Sequence, residues 1–277
     1  MDTKSRRIVS LAAASALTLV TALPALAQEG FPGDRTRDQW TNDLVIYLWA
    51  VNQDEDLTVG YTQVPLESSF GDLWDIMKFA ASGHYEGHKG AWGVMLDGSY
   101  TNLGEDDIIV IEGGPGGIIP ALLTADYRWK IYRGEAAVLF SPIDLGSQRL
   151  DFLGGIRYTK QDLTLTFETP LPIEIDEGGF DEGWVDPILG VRWGIGFGQY
   201  NRWLFWVRTD LGGFGISSDL AFNATANLGF RISRVVYLSL GGRYLYSDYE
   251  SGTIDSDDYF ALKGDEVGLL LGLGFRF

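Results

Sequence analysis

Long rows of strictly alternating residues constrain this chain more than any other feature. From Ala221 to Ile232 the even positions are Phe222, Ala224, Ala226, Leu228, Phe230 and Ile232, and the odd ones are small or polar apart from Arg231. Leu189, Val191, Trp193, Ile195 and Phe197 alternate in the same way with Gly190, Arg192, Gly194 and Gly196. From 119 to 131, Ile119, Ala121, Leu123, Ala125, Tyr127, Trp129 and Ile131 alternate with a row that holds Asp126, Arg128 and Lys130. Neighbouring side chains of a strand point to opposite faces, so each row makes one apolar face and one small or charged face.

A soluble sandwich alternates too. Two details favour a different sheet. The polar faces are glycine, arginine, aspartate, serine and asparagine, which suit a narrow interior better than open water does. The apolar rows are nine or more residues long and edged by Trp, Tyr and Phe, whereas a sandwich strand averages about 5–6 residues. About 9–11 tilted residues cross a bilayer, with aromatic girdles at its two surfaces. A loose unit of small residue, any residue, arginine and bulky residue recurs as Gly155-Ile156-Arg157-Tyr158, Gly190-Val191-Arg192-Trp193, Gly229-Phe230-Arg231-Ile232, Gly241-Gly242-Arg243-Tyr244 and Gly274-Phe275-Arg276-Phe277. The 36 glycines among 277 residues, and an aromatic content of 13%, fit many strands and turns.

The pattern predicts an all-β fold, a transmembrane antiparallel up-and-down β-barrel of about ten strands, within a range of eight to twelve. The strands are expected at 43–53, 77–88, 91–103, 118–132, 148–165, 185–197, 201–213, 217–231, 235–249 and 263–277. Asp56 to Leu66 offers a further hairpin. Connections at Lys89-Gly90, Gly198 to Tyr200 and Ser233-Arg234 are tight, with 133–147 longer on the same side. The alternate set, 54–76, 104–117, 166–184 and 250–262, is long, and only Gly212-Gly213-Phe214-Gly215 breaks it. Short turns on one side and long loops on the other are the plan of a bacterial outer-membrane barrel.

The start of the chain reads as an address. Lys4, Arg6 and Arg7 precede an apolar run from Ile8 to about Val20, then Pro24 and Ala25-Leu26-Ala27, the layout of a cleaved secretory signal peptide. The division expected is 1–27 signal peptide, 28–42 periplasmic segment and 43–277 barrel. The absence of cysteine excludes disulfides, thiol catalysis and Cys-ligated metals. A net charge of −17 argues against nucleic acid.

With these residues in view, the chain resembles bacterial outer-membrane β-barrel proteins. That resemblance implies localisation in the cell outer membrane, contact with outer-membrane lipid and lipopolysaccharide, and recognition of the last strand by the barrel assembly machinery. Phe275 and Phe277 would be its assembly signal. More narrowly, Trp184-Val185-Asp186-Pro187, Gly190-x-Arg192, Arg208-x-Asp210-x-Gly212-Gly213-Phe214-Gly215 and Ser218-Asp219 resemble an uncharacterised family of small proteobacterial outer-membrane barrels.

Asp97, Asp126, Arg128, Asp151, Arg157, Asp186, Arg192, Arg208, Asp210, Arg243, Glu266 and Arg276 are expected to face the lumen. Arginine forks pair well with carboxylates, and unpaired charges in a confined space are costly. A salt-bridge network filling a narrow lumen is the favoured reading, and a small charged, porin-like channel for solutes is the alternative. His84, Glu86 and His88 share one strand face, so an acid–base or metal trio is conceivable. They lie toward the periplasmic turn, and Ser82 and Ser99 nearby have no nucleophile motif. A barrel-embedded lipid-modifying enzyme or protease is therefore the weaker alternative. No catalytic residue, cofactor or metal site is assigned. The external loops are acidic at Asp54-Glu55-Asp56, Glu105-Asp106-Asp107, 174–182 and 255–258, where divalent cations could be shared with lipopolysaccharide. Phe70-Gly71-Asp72-Leu73-Trp74-Asp75-Ile76-Met77 has helical spacing and could enter the barrel mouth. Leu204 and Trp206 are apolar on a nominally polar face, which demands either an apolar lumen there or a bulge.

Overall fold

The computed structural model describes residues 39–110, 123–145, 147–168 and 178–277. The expected signal peptide and most of the segment 28–42 lie outside the described residues. The strands are β1 (Thr41–Val59), β2 (Thr62–Ser68), β3 (Met77–Lys89), β4 (Trp92–Val110), β5 (Leu123–Asp144), β6 (Gln148–Glu168), β7 (Gly178–Phe197), β8 (Trp203–Gly212), β9 (Ser218–Arg231), β10 (Val236–Ser251) and β11 (Phe260–Arg276). One short helix, α1 (Phe70–Asp75), follows β2. Every strand pairs antiparallel with its neighbours, and β11 returns to β1 from Asp43↔Arg276 to Val59↔Phe260. The chain is thus a closed, transmembrane antiparallel barrel of ten staves. The hairpin anticipated near Asp56–Leu66 forms, but β2 pairs only with the outer end of β1 and does not add a full stave.

The outward face carries the belt a bilayer requires. Leu240 and Leu271 are both 58% exposed, and Leu96, Leu189 and Leu269 are exposed beside them. Below the belt, Trp92 stacks near Phe140, and Trp203 near Phe230, each pair with ring centroids 4.8 Å apart. Above it, Tyr100 lies 6.0 Å from Phe79 and 4.8 Å from Tyr132. Eight residues separate Trp92 from Tyr100, about 27 Å along a strand. Tilting brings that close to the apolar band of about 25 Å found on such barrels.

Several strands extend well past the belt. There the outward face becomes polar, with cross-strand pairs such as Lys130 to Asp162 at 3.3 Å and Lys263 to Asp248 at 2.6 Å. The inward face becomes apolar. Leu73, Leu103, Trp129 and Ile131 form one buried cluster, and Leu57, Trp184, Tyr249, Phe260 and Leu262 form another. The barrel therefore reverses its amphipathicity along its own strands: greasy outside and charged inside in the bilayer, polar outside and greasy inside beyond it.

This reversal corrects the reading of β5. The expected strand 118–132 begins, as described, at Leu123 and continues to Asp144, so 133–140 is strand and not the start of a long turn. Its odd residues face inward: Trp129, Ile131, Glu135, Ala137 and Leu139 are buried, while Val138 and Phe140 are exposed. The apolar row 119–131 was expected to meet lipid, but its described end lies above the bilayer, where apolar side chains turn inward. The loops expected at 54–76, 104–117, 166–184 and 250–262 are likewise shortened by strand extensions to Val59, Val110, Glu168 and Ser251. β8 keeps an unbroken register with both neighbours, so Leu204 and Trp206 face the lumen without a bulge.

Candidate functional site: the charged lumen

The lumen is filled in layers. At its inner end, Arg276 on β11 grips Asp43 on β1 through two bonds, Nε to Oδ1 at 2.7 Å and Nη2 to Oδ2 at 2.8 Å. This pair joins the first and last staves. Gly274 and Gly272, the small residues of the Arg276 row, leave room beside it. A Cβ on Gly274 would enter the Tyr237 ring, and one on Gly272 would press on Val45 at 3.0 Å.

Next comes a cluster from β3, β6 and β7. Arg192 donates from Nε to Asp151 at 2.9 Å and from Nη2 to Glu86 at 2.8 Å, and Arg149 donates from Nε to Asp151 at 2.6 Å. His88 contacts Glu86 and Arg149, and Ser141 contacts Asp151 and Arg149.

The middle of the lumen is organised by Glu135 on β5, whose side chain is 3% exposed. Its carboxylate accepts from Arg157 Nε at 2.8 Å, Arg208 Nη2 at 2.7 Å and Arg243 Nη2 at 3.2 Å, three guanidiniums from β6, β8 and β10. Asp210 extends the net, accepting from Arg157 Nη2 at 2.6 Å and Asn223 Nδ2 at 2.9 Å, and Arg243 Nε donates to Asn223 Oδ1 at 3.0 Å. Above it, Arg133 Nη2 donates to both carboxylate oxygens of Glu266, at 2.7 and 2.6 Å, and Gln53 Nε2 donates to the same carboxylate at 3.0 Å. Trp49 lies between two cations, 4.9 Å from Arg243 and 5.5 Å from Arg133. The apolar clusters then close the outer end.

In a water-poor interior a lone charge is strongly disfavoured, and the planar arginine fork is the donor best matched to a carboxylate. Seven lumen arginines, at 133, 149, 157, 192, 208, 243 and 276, each meet a carboxylate. These pairs tie facing walls of the barrel together.

Of the residues singled out in the sequence, Asp97, Asp151, Arg157, Arg192, Arg208, Asp210, Arg243, Glu266 and Arg276 lie in this lumen. Asp97 accepts from Tyr47 Oη at 2.8 Å and meets His84 Nδ1 at 3.0 Å. Asp186 is buried but has another task. It accepts from Ser218 N–H at 2.9 Å and Ser218 Oγ at 2.8 Å, clasping the short outer turn between β8 and β9. That turn needs Gly213 and Gly215, at φ +83° and +69°. The clasp accounts for the one short connection among long ones. Arg128 and Asp126 are corrections: they lie on the even, outward parity of β5, and Arg128 is exposed.

Sequence reasoning missed Glu135, Arg133, Arg149, Glu86 and Asp43 as network members. For Glu135 the signal was present, because Ile131, Arg133, Glu135, Ala137 and Leu139 keep period 2 straight through Gly134. His84, Glu86 and His88 do share the inner face. His84 has Asp97 at 3.0 Å on Nδ1 and Glu86 at 3.6 Å on Nε2, so both ring nitrogens face carboxylates. Among the described residues no group of three or more His, Asp or Glu is arranged to hold a metal ion. In the outer acidic segment 54–56, Glu55 is buried inside the barrel. Residues 174–177 lie outside the described residues. The helix anticipated near Phe70 is α1. Ser69 Oγ accepts from the Asp72 N–H at 3.3 Å and the Asp72 carboxylate accepts from the Ser69 N–H at 3.0 Å, a reciprocal cap. The Ser69 hydroxyl also donates to the Asp72 carboxylate at 2.6 Å, and this bond with that from the Ser69 N–H holds the Asp72 carboxyl below its usual range. Leu73 of α1 is buried in the outer apolar cluster.

Neither a protein-family model nor a curated protein sequence matches the chain. Solved structures with a similar barrel include the outer membrane protease OmpT of Escherichia coli, at 11% identity and a TM-score of 0.44, over 87% of this chain and 98% of that one. OprG, an outer membrane protein of Pseudomonas aeruginosa, is similar at 10% identity and a TM-score of 0.35, over 88% and 99%. Ail of Yersinia pestis, solved with the heparin analogue sucrose octasulfate, is similar at 14% identity and a TM-score of 0.31, over 87% and 99%. Such likenesses concern the barrel alone, and the chemistry of this lumen has to be read from its own residues.

Proposed function

We propose that the protein is an integral outer-membrane barrel whose lumen is closed, and that it serves the envelope as a structural element without acting as a solute conduit or an enzyme. The observation that carries this reading is Glu135, which ties Arg157, Arg208 and Arg243 together across the middle of the lumen. A selective channel needs charges free to meet a passing solute, whereas these are spent on one another. The engagement of both nitrogens of His84 speaks against a free base there. The rest of the proposal extends the reading of the sequence. Residues 1–27 direct export, β11 with Phe275 and Phe277 is the strand offered to the assembly machinery, and the apolar belt sits in the outer membrane. The acidic outer segments face lipopolysaccharide and its divalent cations.

Swelling of protein-loaded liposomes in iso-osmotic arabinose is the test. The protein is expected to leave the swelling rate at that of empty liposomes. Swelling comparable to that of a general porin would reject the closed lumen.

A further inference from the structure

One boundary of the barrel is incompletely sewn. β1 pairs with β3 from Thr41↔His88 to Ile46↔Gly83, and with β2 from Gln53↔Ser68 to Val59↔Thr62. Between these blocks, the facing edges of residues 47–52 on β1 and 77–82 on β3 have no strand partner among the described residues, although their other edges are paired to β11 and β4. The seam runs through the apolar belt: Tyr47 is level with Gly272 and Leu48 with the exposed Leu271. α1 bounds it above, where the Phe70 N–H donates to Asn52 Oδ1 at 2.7 Å. Unpaired backbone in hydrocarbon is disfavoured and persists where it lines a cavity.

A cavity in the lumen meets the lower end of the seam at Tyr47, which lines it. It measures about 110 Å³, and its lining mixes Val45, Met95 and Trp206 with Asp97 and the network groups Glu135, Arg192, Arg208 and Arg243. Below it lies the Glu86–Arg192–Asp151 cluster, whose Arg192 forms part of its wall. An engineered cavity of about 150 Å³ takes benzene, so this one suits a single small ring and excludes a two-chain lipid. Val45, Met95 and Trp206 supply apolar wall, and Ser239, Asn227 and the carboxylate and guanidinium groups of the network supply hydrogen-bonding partners for a single hydroxyl.

We propose that the β1–β3 seam is a lateral port through which a small membrane-soluble molecule of the phenol class, one ring with one hydroxyl, exchanges between the bilayer and this cavity. The port rests on the bilayer placement argued above.

The chain has no cysteine, so Ser239→Cys supplies a unique thiol in the cavity. In phosphatidylcholine vesicles its reaction is followed with N-ethylmaleimide, small and membrane-soluble, and with the impermeant sulfonatoethyl methanethiosulfonate. Each rate is normalised to that of the exposed Thr253→Cys variant. The normalised maleimide rate is expected to exceed the sulfonate rate by about tenfold, because thiol labelling follows access. Excess phenol should slow the maleimide, and so should Ala80→Trp, which fills the β3 edge of the seam. Ala81→Trp is the second variant if Ala80→Trp does not give a folded, heat-modifiable band. Slow labelling by both reagents overturns the port and leaves the closed lumen standing. Fast labelling by both overturns the port by revealing an axial water path, and the closed lumen falls with it. A maleimide rate indifferent to phenol and to the tryptophan variants also overturns the port.

Discussion

Glu135 is the residue on which the lumen turns. Three guanidiniums converge on its carboxylate. Removing the carboxylate leaves them facing one another with only Asp210 to share. Breaking a buried pair by deleting one partner costs about 3–5 kcal/mol. Glu135→Ala should therefore lower the free energy of urea unfolding in lipid vesicles by that amount, followed by the gel shift between folded and unfolded barrel. Arg128→Ala, on the exposed outward face, should change it by less than about 0.5 kcal/mol. Equal effects of the two substitutions would mean that the inward parity of β5 is wrong. The contrast also marks what could be read from the sequence. Arg157, Arg192, Arg243 and Arg276 announced themselves through the small-x-Arg-bulky unit, in which glycine and arginine share a face. Glu135 sits in no such unit, and its neighbour Gly134 resembled a turn.

At the scale of an element, β5 shows why alternation alone was insufficient. Period 2 says that two faces differ, but not which of them meets lipid. Within the bilayer the apolar face is outside, and in the extension beyond it the apolar face is inside, so Trp129 and Ile131 are buried while Val138 and Phe140 are exposed. Leu240, mid-belt on β10, lies on the lipid side of that division. Leu240→Arg should destabilise the folded barrel by about 2–4 kcal/mol, as arginine does on the lipid face near the midplane. A neutral result in the same unfolding assay would remove Leu240 from the bilayer. α1 is a second element whose identity was legible, through its apolar spacing, while the Ser69–Asp72 cap emerges only in the structure. The Asp72 carboxyl is held below its usual range by the Ser69 hydroxyl and amide. Its capping contribution is present above the ordinary carboxylate range and is lost as pH falls through the lowered value. Amide exchange at Leu73 should accelerate on acidification in the native protein, relative to neighbouring strand amides. In Asp72→Asn it should be less sensitive to pH. Identical pH profiles would show that the cap does not hold the helix.

For the whole molecule, the class of fold was visible in its rows of alternating residues, and the ten-stave closure agrees with the strand count read from them. Lateral and axial detail was not visible. The incomplete β1–β3 seam depends on where pairing stops, which leaves no mark in Tyr47 to Asn52. The convergence of Glu135, Arg157, Arg208 and Arg243 depends on strands that are up to 108 residues apart in the chain. Only closure of the sheet brings them across from one another. The central claim is that this closure leaves the lumen filled by its own charges. Single-channel recording in planar bilayers tests it most directly. The account predicts that native protein, inserted and heat-modifiable, holds the current at baseline under either polarity. Stepwise conductance from the native protein, altered in size or ion selectivity by Arg192→Ala or Arg208→Ala, would contradict it.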